Sequence, residues 1–375
     1  MPILVHQQVN IIAAIISLLF WMYAYSVLDR KSNINKIYLI SLSLNLILIA
    51  LKVTFNFIVE IDSIALIFPR VIGGLIFALS PLLAYLFLQF VCNYFSTPFK
   101  IVRSAKAIFA VLICLNAIAA IFSLKSQMFS ESIRTTQYTV PFLISLIFLV
   151  YSAFVIYKCK KMLINFEFVY IVTISIITST LVLIQFFANE TRFIWCSSTF
   201  TVILMFIVIQ QRELYRDSLT GARNRLVLKK CLDAHVRKPV SDFSVVMIDL
   251  DYFKNINDSY GHSEGDYALK VFVRLLQKVY SEDGIVIRMG GDEFLVLIYG
   301  VSTLEVNELI KKMSKMVDKF NNKGVKPYRI KYSCASGTYN NSDISIDQFI
   351  HEIDMKMYKN KNGKKGSKMW SVENL

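Results

Sequence analysis

Charged residues are scarce in this sequence: Asp, Glu, Lys and Arg make up 18% of its 375 residues, whereas 55% are hydrophobic. A soluble domain usually carries about 25% charged residues, so this balance indicates a membrane protein. The scarcity is uneven, because the first 210 residues hold 14 of the 41 Lys and Arg and 6 of the 27 Asp and Glu. These proportions exclude a single soluble domain, a disulfide-rich secreted scaffold and a disordered tail protein.

Cysteine pairs are lacking as well. The six cysteines include no Cys-x-x-Cys pair, and none has a His or Asp at the spacing of a metal site. Most of them lie in or beside apolar segments, where cysteine behaves as a small hydrophobic residue. We therefore predict neither a disulfide framework nor a zinc site.

Long apolar runs fill the first 210 residues. A helix needs about 20 apolar residues to cross a bilayer. Seven runs approach that length: Ile11–Leu28, Ile37–Ile58, Val71–Tyr94, Ala105–Leu124, Tyr138–Tyr157, Phe168–Phe187 and Phe193–Gln210. We predict that residues 1–210 form a multi-span α-helical membrane domain of about seven helices that acts as a sensor.

Polar residues lie within or near these runs at six positions: Asn45, Lys52, Asn56, Arg70, Asn116 and Gln185. Polar groups inside a membrane are costly and can mark a ligand or ion pathway. A structural role is the favoured interpretation, because Lys52 and Asn56 lie near the end of their run and can extend to the interface.

The positive charges of the connecting loops alternate along the chain. The loops after the first, third and fifth runs carry three Lys or Arg each, whereas the other three loops carry one, two and one. Because cytoplasmic loops are enriched in Lys and Arg, we predict that the N-terminus lies outside and that everything after Gln210 is cytoplasmic. The enrichment of Lys and Arg in cytoplasmic loops then explains the net charge of +14. No nucleic-acid partner is therefore predicted.

The cytoplasmic half alternates strand-like and helix-like segments. Gln210 to Arg216 contain no Pro or Gly, so a short helical linker is predicted at residues 211–216. Strands are predicted at Phe243–Ile248, Ile285–Met289, Phe294–Ile298 and Tyr328–Ser333, and helices at Tyr267–Val279, Val306–Phe320 and Ile346–Tyr358. This alternation predicts an α/β domain.

Acidic residues follow two of the predicted strands. Asp249 and Asp251 end the first strand, and Gly290-Gly291-Asp292-Glu293 forms the tip of a predicted hairpin. Carboxylates from adjacent strand ends can hold a hard cation such as Mg²⁺, which prefers oxygen ligands and leaves room for phosphate oxygens. Either motif by itself is more often a set of turn residues.

Four sequence blocks, in order, carry a resemblance to a known family. They are Asp217–Arg225 (DSLTGARNR), Asp249–Leu269 (DLDYFKNINDSYGHSEGDYAL), Arg288–Phe294 (RMGGDEF) and, more loosely, Asp354–Lys365. Together they resemble the GGDEF-domain diguanylate cyclases over about residues 217–368. The resemblance implies a cytoplasmic GGDEF domain at residues 217–372, with a nucleotidyl-cyclase-like mixed sheet flanked by helices, in a protein of the bacterial inner membrane.

The activity that the resemblance implies is the conversion of two GTP into cyclic di-GMP and two pyrophosphates, with Mg²⁺ (or Mn²⁺) as the cofactor. It also implies a homodimer, because each domain binds one GTP. Downstream cyclic di-GMP receptors are implied as indirect partners. Two alternatives stay open. One is a catalytically silent GTP-binding regulatory protein that acts as a membrane receptor; the other is a receptor or transporter whose soluble domain is only regulatory.

The resemblance further implies a metal and a catalytic set. The metal ligands are Asp249, the carbonyl of Leu250, Asp292 and Glu293. The catalytic residues are Asp292, Glu293 and Lys254, and which acid takes the 3′ proton is left open.

Base recognition is implied for Asn257 and Asp266. A carboxylate accepts hydrogen bonds from guanine N1–H and N2–H₂, donors that adenine lacks, so Asp266 favours GTP over ATP. The other implied substrate contacts are Phe253, Gly290, Gly291, Lys361 and Lys364, with Lys365 as the alternative to Lys364.

The sequence departs from the family at one regulatory motif. Many members carry R-x-x-D five residues before the GGDEF signature, where the product binds and inhibits, but this chain has Ser281-Glu282-Asp283-Gly284. Product inhibition through that motif is therefore not expected. His262 is interpreted as structural, and Arg288 as a partner of a nearby carboxylate or a support of the hairpin.

Overall fold

The computed structural model describes residues 2–59, 67–95, 99–125, 139–159, 165–188, 194–237, 242–280, 284–340 and 344–372. The chain divides into two compact units, residues 1–210 and residues 211–375. Each unit is described by itself.

The first unit is helical, and its elements follow the predicted apolar runs. The described residues form α1 (Pro2–Val27), α2 (Asn33–Val59), α3 (Ile67–Phe95), α4 (Phe99–Lys125), α5 (Thr139–Lys158), α6 (Asn165–Ala188) and α7 (Ile194–Leu214). Large hydrophobic side chains such as Leu19, Ile121 and Val150 are exposed on their surfaces. Exposed apolar surface on this scale is typical of contact with lipid.

Five helical segments in the described part are long and apolar enough to cross a membrane. They are Gln7–Val27, Asn33–Val59, Ile67–Phe95, Thr139–Lys158 and Glu167–Ile184. The apolar part of α4, Lys106–Ile121, is shorter. The multi-span membrane region is thus supported, and the count of seven spans stays a prediction.

Two of the intramembrane polar residues have structural partners. Pro81 lacks an N–H, so it leaves the carbonyl of Phe77, one turn earlier in α3, without its helical donor. The buried Asn116 amide donates to that carbonyl at 3.0 Å and to the carbonyl of Ala78 at 3.1 Å. This repair of the helix supports the structural interpretation of Asn116.

Asn45 is fully buried and joins three helices. Its amide nitrogen donates to Ser17 Oγ at 3.1 Å and Thr199 Oγ1 at 2.9 Å, and its oxygen accepts from Ser198 Oγ at 2.6 Å. These bonds satisfy the amide inside the bundle, so Asn45 also has a structural role. The side chain of Gln185 lies outside the described part.

In its described residues the second unit contains a five-stranded mixed sheet. Its strands are β1 (Arg223–Asn224), β2 (Phe243–Asp251), β3 (Gly284–Gly290), β4 (Glu293–Tyr299) and β5 (Lys331–Tyr339). The order is β1-β3-β4-β2-β5, with β1 parallel to β3 and the other pairs antiparallel. β2 pairs on both sides and is buried almost throughout, which explains its continuous apolar sequence.

Five helices accompany this sheet in the described residues: α8 (Arg225–Arg237), α9 (Phe253–Tyr260), α10 (His262–Tyr280), α11 (Thr303–Asn321) and α12 (Ile346–Val372). The predicted α/β class and mixed sheet are confirmed. Three elements were not predicted, because each is short or polar: β1, α8 and α9.

The predicted linker helix is wrong at its end. α7 stops at Leu214 instead of continuing through residue 216. The Asn224 side chain donates to the Leu214 carbonyl at 2.7 Å, and Arg216 forms a β-bridge with Arg223. These bonds turn the chain out of the helix.

The strand predicted at Tyr328–Ser333 also needs correction, because β5 begins only at Lys331 and extends to Tyr339. The Asn321 side chain forms hydrogen bonds of 2.8 and 2.9 Å with the backbone carbonyl and N–H of Ile330. Residues just before β5 are therefore held by the end of α11 and do not join the sheet.

Candidate active site

Three acidic residues meet where β2 ends and β4 begins. Asp249 lies opposite Glu293 in the antiparallel register. The N–H of Leu250 donates to the carbonyl of Asp292 at 3.2 Å. The carboxylates predicted to hold a cation are thus carried by neighbouring backbone segments.

Lys361 of α12 reaches this acidic corner. Its Nζ donates to Asp249 Oδ1 at 2.5 Å, and the Asp249 side chain is only 8% exposed. Burial, followed by the charges of Asp292 and Asp251, raises the pKa of Asp249 in spite of the bond from Lys361. The corner therefore carries more negative charge than one ammonium neutralises.

Glu293 has the same electrostatic character. Desolvation, then the charges of Asp249, Asp354 and Asp292, raise the pKa of its carboxyl, while Lys361 acts in the opposite direction. Asp354 of α12 is therefore a further acid close to the site. Its sequence position, at the start of the closing block, did not reveal that proximity.

The hairpin tip is fixed by Arg288. Gly291 has φ +51°, a left-handed conformation that suits glycine. The Arg288 guanidinium donates to the Gly291 carbonyl at 3.0 and 2.7 Å and to Asp217 Oδ1 at 2.9 Å. Burial alone would raise the pKa of Asp217, but hydrogen bonds from Thr220 and Arg288 lower it. The interpretation of Arg288 as a partner of a carboxylate and a support of the hairpin is confirmed.

The other side of the site is a corner between α9 and α10. Tyr252, at φ 59° and ψ 28°, turns the chain from β2 into α9. Asn257 of α9 packs against Gly265 of α10, where an added Cβ would overlap Asn257 Oδ1 and lie 3.3 Å from Phe253 Cζ. Asp266 follows Gly265 directly, so the two residues predicted to read guanine lie on the two helices that meet here.

Comparison with known families decides what this arrangement is. Residues 214–367 match the family model described as "Diguanylate cyclase, GGDEF domain". The chain contains a GGDEF domain.

Curated relatives agree over this domain. The chain is 39% identical over 102 residues to Probable diguanylate cyclase DgcF of Escherichia coli strain K12, covering 27% of this chain and 32% of that protein. It is 29% identical over 156 residues to Diguanylate cyclase DgcM of the same organism, covering 40% of this chain and 36% of that protein. The chain thus spans about a third of the length of these relatives.

Among solved structures, a sensory box/GGDEF family protein from Caulobacter crescentus CB15 is 29% identical. The match covers 40% of this chain and 99% of that chain, with a TM-score of 0.34.

The other residues predicted from the GGDEF resemblance differ in how exposed they are. Lys254 is exposed on α9, and His262 is exposed at the start of α10. The side chain of Lys364 lies outside the described part, as do Ser281 to Asp283 of the altered inhibitory motif. Phe253 packs against the hydrophobic core of the domain, and its contact with substrate stays a prediction.

The acidic corner fits a divalent cation by its chemistry. Within the described residues no group of three His, Cys, Asp or Glu side chains is close enough to form a complete metal cage. Mg²⁺ in nucleotide sites needs no such cage, because one or two carboxylates hold it together with substrate phosphates and waters. The oxygen donors and excess negative charge around Asp249 satisfy that requirement.

Proposed function

We propose that this chain is a membrane-bound diguanylate cyclase that joins two GTP into cyclic di-GMP with release of two pyrophosphates. The observation that carries the proposal is the placement of Asp249, Asp292 and Glu293 on adjoining strand ends, within a domain that matches the cyclase family.

Guanine recognition is assigned to the corner of α9 and α10. Asp266 accepts hydrogen bonds from guanine N1–H and N2–H₂, and the Asn257 amide serves the base edge beside it. Both side chains are half-buried, so they are shielded from bulk water and still reachable by a ligand.

The phosphates are assigned to the acidic corner and its lysines. Asp249, the Leu250 carbonyl and one of the two acids Asp292 and Glu293 would hold Mg²⁺ (or Mn²⁺) together with phosphate oxygens and waters. The cation would supply charge neutralisation and a lower pKa for a bound hydroxyl. Gly290 and Gly291 allow the backbone to approach the nucleotide closely. The phosphate charge is then balanced by Lys254, Lys361 and Lys364. For this, Lys361 has to leave Asp249 and bind the triphosphate.

The reaction requires two copies of the domain. Each 3′-hydroxyl oxygen forms a bond to the α-phosphorus of the other nucleotide, and the bond from that phosphorus to pyrophosphate breaks. Asp292 or Glu293 accepts the hydroxyl proton. Most of the rate enhancement comes from positioning and from stabilisation of phosphate charge, so a homodimer that aligns two half-sites is part of the proposal.

The membrane region is assigned the role of sensor, at the inner membrane with the N-terminus outside. α7 ends at Leu214, and Asp217, three residues later, is bonded to Arg288 at the hairpin. A change in the pose of two paired α7 helices would thereby alter how two half-sites meet.

Insertion of two glycines after Gln211 tests this regulatory link. We expect the insertion to change basal or stimulated cyclic di-GMP formation in membranes, because it interrupts the helix that ends at Leu214. The substitution Gln211→Ala, which keeps the helix, is the matched control. Unchanged basal and stimulated rates in the insertion variant would remove the membrane region from regulation.

The activity itself is tested on the purified full chain in detergent with Mg²⁺ and GTP. Products are identified by mass spectrometry beside the variant Asp292→Ala. We expect cyclic di-GMP from the parent and none from the variant. GTP that binds without turnover, in the presence of membranes and at high protein concentration, would favour the silent GTP-binding regulator instead.

A further inference from the structure

A short segment that precedes β5 contacts the corner between α9 and α10. It consists of Lys326, Pro327 and Tyr328, and we call it the 326–328 clamp. Lys326 Nζ lies 2.8 Å from Glu264 Oε1, an ion pair with both side chains less than a third exposed. The Tyr328 hydroxyl donates to Glu264 Oε2 at 3.0 Å and lies 3.2 Å from the Glu264 carbonyl. Glu264 sits in the first turn of α10, so the clamp holds the start of that helix.

The clamp also contacts α9 and the next turn of α10. The Tyr328 ring lies 5.3 Å from the Tyr260 ring, and the Tyr260 hydroxyl lies 3.5 Å from the Pro327 carbonyl. Lys326 Nζ lies 4.2 Å above the Tyr267 ring, within the range of a cation–π contact. Both helices of the corner are thus fixed by one short segment.

The geometry of the corner explains why such a support matters. Asn257 is near the end of α9 and Asp266 is in the first part of α10. The chain between them turns at Gly261, with φ +83°. Any shift of the start of α10 against α9 changes the distance between the Asn257 amide and the Asp266 carboxylate.

We propose that the 326–328 clamp is a specificity-determining positioning element that sets Asn257 and Asp266 at the separation required for one guanine base. The clamp acts through these two residues and does not touch the nucleotide. This inference rests on the proposed function, because it assumes that the corner binds guanine.

The test compares binding of GTP and ITP to the full chain in detergent, because ITP lacks only the 2-amino group that Asp266 would accept from. Lys326→Met keeps most of the apolar body of the side chain and removes the ion pair. We expect its Kd for GTP to rise about tenfold, which equals about 1.4 kcal/mol, while its Kd for ITP changes less. In turnover the KM should rise with kcat nearly unchanged, and Lys326→Arg should restore GTP binding.

Lys311→Met is the matched control, since Lys311 forms a similar 3.0 Å ion pair with Glu308 on the exposed face of α11. We expect it to bind both nucleotides like the parent. Tyr328→Phe is a second variant that keeps the ring against Tyr260 and loses only the hydroxyl contacts. It should lower the preference for GTP in the same direction.

Clamp variants that lower the melting temperature but keep the parental ratio of GTP to ITP affinity would show a merely structural role and overturn the inference. A parent that binds neither nucleotide would instead overturn the proposed function, and the inference with it. Nucleotide binding by the parent distinguishes these two outcomes, because the parent binds GTP in the first and binds neither nucleotide in the second.

Discussion

Replacing Asp249 with asparagine is expected to reduce cyclic di-GMP synthesis by on the order of a thousandfold, the scale of losing one central electrostatic group in an active site. Asn has almost the same shape, so β2 keeps its packing, but the site loses its most buried acid and a cation ligand. Product formation from GTP at saturating Mg²⁺, followed by mass spectrometry, measures the effect.

The control for this substitution is Glu308→Gln, which removes a carboxylate that is 72% exposed and lies on α11. It should leave the rate at the parental value. If Asp249→Asn kept more than about a tenth of the activity, Asp249 would not be a ligand of the essential cation. An unchanged melting temperature of Asp249→Asn would exclude unfolding as the cause of the loss.

Gly265→Ala is expected to lower kcat/KM for GTP about a hundredfold, which equals about 2.7 kcal/mol and is within the scale of losing one or two hydrogen bonds in a buried polar site. The new Cβ would overlap Asn257 Oδ1 and drive that amide away from the base. The stability effect should be small, because alanine is favoured over glycine in a helix by about 1 kcal/mol. Initial rates over a range of GTP concentrations, with thermal unfolding in parallel, separate the two effects.

A second glycine provides the control for this clash. A Cβ at Gly337 of β5 would overlap the end of the Ile353 side chain and lie 3.2 Å from Phe349 Cε2. Gly337→Ala therefore creates a similar clash away from the guanine corner, and we expect it to affect stability without affecting KM. A parental KM in Gly265→Ala would show that Asn257 does not read the base.

Much of the fold could be predicted because local pattern and final structure agree. The apolar run Phe243–Ile248 became part of β2, which pairs with a strand on each side, and the predicted hairpin tip became the β3–β4 turn at Gly291 and Asp292. In both cases the residues themselves impose the structure, by burial on two faces or by a left-handed backbone conformation at Gly291.

The sequence was less informative where partners are distant. Nothing local in Tyr328 to Ile330 shows that Asn321 and Glu264 hold this stretch outside the sheet. The same holds for Asp354, whose proximity to Glu293 depends on how α12 packs. The four sequence blocks predicted a set of site residues that stays a prediction, and they gave no sign of the hydrogen bond between Lys361 and Asp249.

That last bond has a consequence for how the protein is made. Asp249 precedes Lys361 by 112 positions in the chain, so at about 5–20 residues per second the ribosome adds the lysine roughly 6 to 22 s after the aspartate. During that interval β4 and β5 emerge, but Asp249, once buried between them among other acids, still lacks the counter-charge of Lys361. The counter-charge for the buried Asp249 therefore becomes available only after α12 has been synthesised, although β2 and the two strands beside it are made earlier.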